Sequence, residues 1–226
     1  MFPLYDENPT RISPYITYGL IGINVLVFLH EWRLFSTGQI DQFLQLYAVI
    51  PRQLTRFPNA EWVTLFTSQF LHGGWWHLGS NMLYLWVFGN NIEDRMGHFK
   101  YLIFYLTCGA LAALCQWIIG VDSTIPSLGA SGAISGILGA YLIRFPQTRV
   151  VTLVFLFFFV TTIRLPALVL IGLFVVNNVV SGLASLQAAA NMSVESGGVA
   201  YWAHIGGFVF GIILSPVFGL FKQDEY

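Results

Sequence analysis

The sequence predicts an all-α polytopic membrane protein: six transmembrane helices with a long, semi-apolar first outer loop, forming one membrane domain over residues 1–226. Two observations carry this. Of 226 residues, 56% are hydrophobic and 9% charged, with a mean hydropathy of +0.67. A soluble domain carries about a quarter charged residues to cover its surface, and this chain lacks them. Apolar segments close to the ~20 residues that a bilayer core requires also recur along the chain. A net charge of −1 with no basic run argues against nucleic acid as a partner. The hydrophobicity excludes disorder.

The spans are expected at residues 15–32, 77–91, 101–120, 131–144, 166–185 and 201–221. The first follows a mixed-charge start (Asp6, Glu7, Arg11) with no evident cleavage site behind it, which reads as an uncleaved span. The apolar run 150–163 is rich in Val, Thr and Phe and flanked by Arg149 and Arg164. It reads as an interfacial strand or re-entrant piece. With the N-terminus inside, Arg11, Arg95, Lys100, Arg144, Arg149, Arg164 and Lys222 fall inside and Arg33, Arg52 and Arg56 outside, so both termini are expected in the cytoplasm. The first outer loop, 33–76, is expected to lie partly in the membrane interface. The small, polar composition of 186–200 suits a lid or an ordinary linker. Cys108 and Cys115, about 10.5 Å apart on a helix, are too distant for a disulfide and read as packing residues.

All eleven carboxylates fall outside the spans or at their edges, which argues against proton-coupled transport and an aspartyl intramembrane protease. No His-Glu-x-x-His pair exists, and His72 and His77 do not share a helical face, so no metal is expected. What remains inside is a set of neutral polar groups: Ser131, Asn81, His77 and His204. Singly, each has a bland reading. Ser131 lies in Gly129-Ala130-Ser131-Gly132, followed by Gly136, Gly139 and Ala140, which is also how close-packed membrane helices are built. Asn81 suits an interhelical hydrogen bond and His77 an interface anchor, whereas a buried His204 needs a partner.

Topology joins these groups. Ser131 begins the fourth span, His77 and Asn81 the second, and His204 lies in the first turn of the sixth. All three spans run in one direction, so the four groups share one depth in the outer half of the bilayer. The fourth helix is ~21 Å long against a ~30 Å core, so Ser131 starts below the surface, and irregular backbone before it (124–130) requires a protein-lined or wet cavity. The unpaired N–H groups of a helix start can stabilise an oxyanion.

These residues resemble the rhomboid family of intramembrane serine proteases. The matching elements are Gly129-Ala130-Ser131-Gly132; His72, His77 and Asn81 at their spacing; Ala203-His204 with Gly207 and Gly211; and Glu93-x-Arg95-x-Gly97. The resemblance covers about Phe66 to Gly219. It implies a rhomboid-like bundle with Ser131 as nucleophile, His204 as general base, and His77 and Asn81 as oxyanion stabilisers. Gly207 and Gly211 would let the sixth helix approach the fourth at Gly132 and Gly136. It further implies single-span membrane-protein substrates; no cofactor is expected, and the protein is expected to be a multi-pass protein of a prokaryotic plasma membrane. Two departures stand out. Glu61-Trp62-Val63-Thr64 replaces a Trp-Arg pair of many relatives, which leaves the loop's anchoring open, and Ser135 stands where some relatives stack an aromatic residue on the catalytic imidazole. Two other functions remain: a derlin-like relative that binds membrane clients without cutting them, which would ordinarily lack the Ser or the His, and a channel or carrier, which the uncharged spans disfavour.

Overall fold

A computed structural model of the chain describes residues 1–156, 159–192 and 199–221. In chain order the elements are β1 (Phe2–Asp6), α1 (Tyr15–Ser36), the short helices α2 (Ile40–Tyr47), α3 (Pro51–Arg56), α4 (Pro58–Glu61) and α5 (Thr64–Thr67), then α6 (Trp75–Tyr84), α7 (Asn90–Met96), α8 (His98–Ile119), α9 (Ser131–Arg144), β2 (Arg149–Leu156), β3 (Phe159–Pro166), α10 (Ala167–Met192) and α11 (Tyr201–Leu214). The protein is mostly helical. Two stretches, His98–Ile119 and Ala167–Ala188, are long and apolar enough to cross a bilayer, and α11 is a shorter apolar helix.

The structure adjusts several expected boundaries. A π-helical turn at Leu85–Gly89 joins α6 to α7, so the helix expected over 77–91 runs from Trp75 to Met96. Helix α10 continues through Met192 and absorbs the first part of the expected 186–200 lid, while 193–198 of that segment lie outside the described residues. Helix α11 ends at Leu214 and turns follow, where a span to 221 was expected.

The all-α expectation also needs correction, because three strands form an antiparallel sheet in the order β1-β2-β3. The run 150–163 is a hairpin, with Val150 opposite Leu165 and Leu153 opposite Thr162; residues 157 and 158 at its tip lie outside the described residues. Its β-branched residues favour strand, in line with the strand reading. The N-terminal β1 was not expected, since its partner β2 lies about 150 positions along the chain, with Phe2 opposite Leu153 and Asp6 opposite Val150.

Carboxylates tie the chain start to the end of α7. Helix α1 has no side-chain cap of its own. Instead the fully buried Glu93 accepts the backbone N–H groups of Ile16 and Thr17 at 2.9 and 2.8 Å, the Thr17 hydroxyl at 2.7 Å, and lies 2.5 Å from His98 Nδ1. Asp94 accepts the N–H groups of Arg11 and Ile12 at 2.7 and 2.9 Å. Unpaired N–H groups of a first turn are thereby satisfied in trans. Asp6 takes bonds from Asn91 and Tyr141, and burial raises its carboxyl pKa above the ordinary value.

The core gathers aromatic side chains of α8 (Tyr101, Phe104, Tyr105) against Phe88, Ile137, Leu138 and Tyr141, all fully buried. Beside it, α9 and α11 meet backbone to backbone. A methyl group at position 207 would sit 2.1 Å from the Gly132 carbonyl oxygen, one at 211 the same distance from the Gly136 oxygen, and one at 139 would sit 2.3 Å from the Phe208 oxygen. Helix α8 closes the third side: Cys108 fills the space at Gly136, Ala112 that at Gly132 and Cys115 that at Gly206. Both cysteines are free and act as packing residues.

Because no side chain fits between these backbones, Gly211→Ala is expected to cost about 1–3 kcal/mol, read as a lower thermal midpoint of the purified protein in detergent. Gly19→Ala, at an α1 position with nothing within 4 Å, is expected to leave the midpoint unchanged or raise it slightly.

Candidate active site

The chain reaches α9 through an irregular segment that the first long loop supports. Val49 and Ser127 exchange two backbone hydrogen bonds of 3.1 and 2.8 Å, and the Gly129 N–H donates to the Ser68 carbonyl at 2.9 Å. Backbone groups of Ser127 and Gly129 in this irregular stretch are thus engaged by protein, as irregular chain in apolar surroundings requires. The loop is itself anchored by Arg52 Nε to the Asp122 carbonyl (2.9 Å), by Thr55 Oγ1 to the Val121 carbonyl (2.8 Å), and by Trp117 Nε1 to Thr55 Oγ1 (2.9 Å). These contacts supply the anchoring left open by the missing Trp-Arg pair. Gly129 has φ 128°, a conformation that L side chains rarely adopt. Its turn delivers Ser131 as the first residue of α9.

Ser131 Oγ lies 2.7 Å from Nε2 of His204, which sits in the first turn of α11 and is 9% exposed. The glycine contacts between α9 and α11 bring the two starts together. The far side of the imidazole is held by α10: Asn178 Oδ1 lies 2.6 Å from His204 Nδ1, and the Phe174 ring lies 5.9 Å from the imidazole, tilted by 33°. Ser135, the residue in the stacking position of some relatives, bonds instead to the Ser131 carbonyl at 2.7 Å. The His204 ring is therefore positioned from α10.

His77 comes to the same place, and Asn81 lies one turn later on α6. A side chain at Gly129 would sit 2.9 Å from His77 Nε2 and 3.6 Å from Ser131 Oγ, so one small space adjoins both. His77 Nδ1 accepts the Gly73 N–H at 3.3 Å, which leaves the proton of a neutral ring on Nε2, facing that space. The Asn81 Nδ2 group is buried without a hydrogen-bond partner, a donor that a transient acceptor could satisfy. Behind His77, the His72 ring packs at 5.1 Å and 67°. Burial, with His77 alongside, pushes the His72 pKa down to about 3, so this ring is neutral near pH 7. The buried Glu31 carboxylate at the end of α1 accepts the His72 backbone N–H at 3.1 Å.

The structure brings Ser131, His204 and His77 together, with Asn81 one turn beyond His77 on α6, and the glycines at 129, 132, 207 and 211 stand at points of close approach. Reasoning from the sequence missed Asn178, Phe174 and the Glu31–His72 contact. Asn178 carried a usable signal, because it is a neutral polar residue inside an apolar span, the same criterion that selected Asn81. Chemically, the arrangement pairs a hydroxyl with an imidazole at the first turn of a helix, whose N–H groups have no intrahelical acceptors, with the His77 ring alongside.

Comparison with known proteins places this arrangement. A family model described as the Rhomboid domain matches residues 59–221. The chain is 29% identical over 217 residues to Rhomboid protein 1, mitochondrial, of Saccharomyces cerevisiae, a match covering 94% of this chain and 54% of that protein. It is 30% identical over 214 residues to Rhomboid protease GluP of Bacillus subtilis, covering 95% and 37% respectively. It is 28% identical over 198 residues to the presenilin-associated rhomboid-like protein, mitochondrial, of Homo sapiens, covering 86% and 46%. The chain therefore spans 37–54% of the length of these relatives. With the family match covering most of the chain and enclosing all four polar groups, the protein belongs to the rhomboid family of integral membrane proteins.

Proposed function

We propose that this rhomboid is an intramembrane serine endopeptidase that cuts peptide bonds in or near the transmembrane segments of membrane proteins. The observation that carries the reading is the 2.7 Å contact between Ser131 Oγ and His204 Nε2 at adjoining helix starts. The name of the Bacillus subtilis relative, a rhomboid protease, supports it. In this reading the chain forms one membrane domain with six spans and both termini in the cytoplasm, as the Lys and Arg distribution favours. The relatives are bacterial and mitochondrial, so the similarity gives the expected prokaryotic plasma membrane no preference over an organellar one.

In the proposed reaction Ser131 Oγ attacks the scissile carbonyl carbon while His204 Nε2 takes the hydroxyl proton. The tetrahedral oxyanion lies in the space between His77 and Ser131, where His77 Nε2–H, Asn81 Nδ2 and N–H groups of the α9 first turn donate to it. The imidazolium returns its proton to the departing amine and leaves an acyl group on Ser131. Water, deprotonated by His204, then attacks that ester and releases the second product. A helical substrate hides its carbonyls, so the segment that enters must unwind locally, as helix-breaking residues permit. The resemblance to the family favours single-span substrates with a small residue at the cut.

Three expected outcomes test this. Purified wild type is expected to label with a fluorophosphonate probe, and Ser131→Ala and His204→Ala are expected to abolish labelling. A folded wild type that stays unlabelled would assign the chain to the client-binding, non-cutting kind instead. Asn81→Ala is expected to lower turnover of a membrane-embedded reporter by about tenfold or more with the fold intact; unchanged turnover would return Asn81 to a packing role. Gly129→Ala places a side chain 2.9 Å from the His77 ring at a positive φ. It is expected to slow labelling by about tenfold or more although Ser131 and His204 remain.

A further inference from the structure

We infer that Asn178 is a positioning residue for the Ser131–His204 pair: it fixes the imidazole in the tautomer that can accept the serine proton. The inference rests on the hydrolase reading above and extends it to α10.

Asn178 is 3% exposed within an apolar helix, so each of its polar atoms needs a partner. Its Nδ2 donates to the Phe174 carbonyl one turn earlier at 2.8 Å, and this bond sets which way the amide points. The oxygen is then directed at His204 Nδ1, 2.6 Å away. An amide oxygen only accepts, so Nδ1 must carry the proton. In a neutral imidazole the lone pair then belongs to Nε2, the atom 2.7 Å from Ser131 Oγ. Once Nε2 takes the serine proton, the same oxygen faces the imidazolium and continues to orient it. Phe174 and Asn178 are one turn apart on a single face of α10. The first meets the imidazole as a ring neighbour and the second meets its edge.

A purely structural amide needs no histidine. Asn24 in α1 makes the same bond one turn back, to the Leu20 carbonyl at 2.7 Å. That bond is an ordinary way to satisfy a buried NH2 group. What distinguishes Asn178 is where its second bond ends: on Nδ1 of His204, the base of the proposed reaction. Among the described residues, His77 from α6 and Cys115 from α8, which packs at Gly206, are titratable side chains near this end of α11, and Tyr84 of α6 lies against Phe174. Helix α10 carries none, and α9 none before Tyr141. A carboxylate at position 178 would therefore be a new charge directly against the imidazole.

The test measures fluorophosphonate labelling rates against pH for the purified full chain in proteoliposomes, in wild type, Ser131→Ala, Asn178→Ala and Asn178→Asp, with thermal midpoints measured alongside. Asn178→Ala is expected to label about tenfold or more slowly across the profile. The near-isosteric Asn178→Asp is expected to keep a near wild-type maximal rate while the acidic limb of its profile moves up by about one unit, because the carboxylate favours the imidazolium. An Asp variant whose acidic limb stays in place overturns the positioning role, whatever the Ala variant does. A wild type that labels, together with an unlabelled Ser131→Ala, keeps the hydrolase reading standing in that case; an unlabelled, folded wild type removes both. A measurement on the unmodified protein needs no variant to fold: ring ¹⁵N shifts from histidine-labelled protein at neutral pH are expected to show His204 with its proton on Nδ1. A proton on Nε2 overturns the inference.

Discussion

The backbone contact between α9 and α11 is the constraint on which the rest of the structure depends. In a membrane, helix association draws little on the hydrophobic effect and relies on close van der Waals packing. Gly132 and Gly136 on one helix and Gly207 and Gly211 on the other repeat every four residues, so each helix presents a continuous groove without side chains along one face. Ser131 stands immediately before one groove and His204 three residues before the other. Once the grooves mesh, the hydroxyl and the imidazole meet at 2.7 Å without any long or flexible side chain between them. Helix α8 completes the arrangement by filling the flanks with side chains no larger than cysteine, and that is why Cys108, Ala112 and Cys115 occur where they do.

Much of this was legible in the sequence because it rests on residue types that are costly or conspicuous in apolar segments. Ser131, His77, Asn81 and His204 are polar where polarity is penalised, and the glycines repeat at helical spacing. The strand character of 150–163 showed in its Val and Thr content. Other features depend on partners remote in the chain. β1 forms only because β2 lies beside it, and five residues beginning Phe2-Pro3 carry no periodicity strong enough to announce that. The anchoring of the first loop uses Arg52, Thr55 and Trp117, whose bonds go to backbone carbonyls or to one another and leave no pattern. The imidazole is supported from α10 and not from the position one turn after Ser131 on α9, where Ser135 bonds to the backbone. Asn178 differs from other amides in apolar helices only through its cross-helix contact with His204, which sequence alone does not display.

The scarcity of charge also has a finer reading than membrane residence. Glu31, Glu93 and Asp94 sit at span edges in the sequence, which suggests carboxylates facing water. In the structure Glu31 and Glu93 are buried, and all three act as acceptors for backbone N–H groups on other segments. A carboxylate in this role replaces several separate caps at once, since its two oxygens can take bonds from different parts of the chain. Glu93 serves Ile16, Thr17 and His98 together, and it thereby joins the entry of α1, the exit of α7 and the start of α8.

That arrangement bears on the order in which the molecule is completed during synthesis. Helix α1 is synthesised before α7, yet the carboxylate that satisfies its leading N–H groups lies 76 positions beyond Thr17. Until Glu93 has been made and α7 has settled beside it, the beginning of α1 has no internal acceptor for those groups and must keep them at a wet or headgroup-level site. Helix α1 thus has its end closed only after α7 is in place, and the same carboxylate that closes it links α1 to α7 and α8.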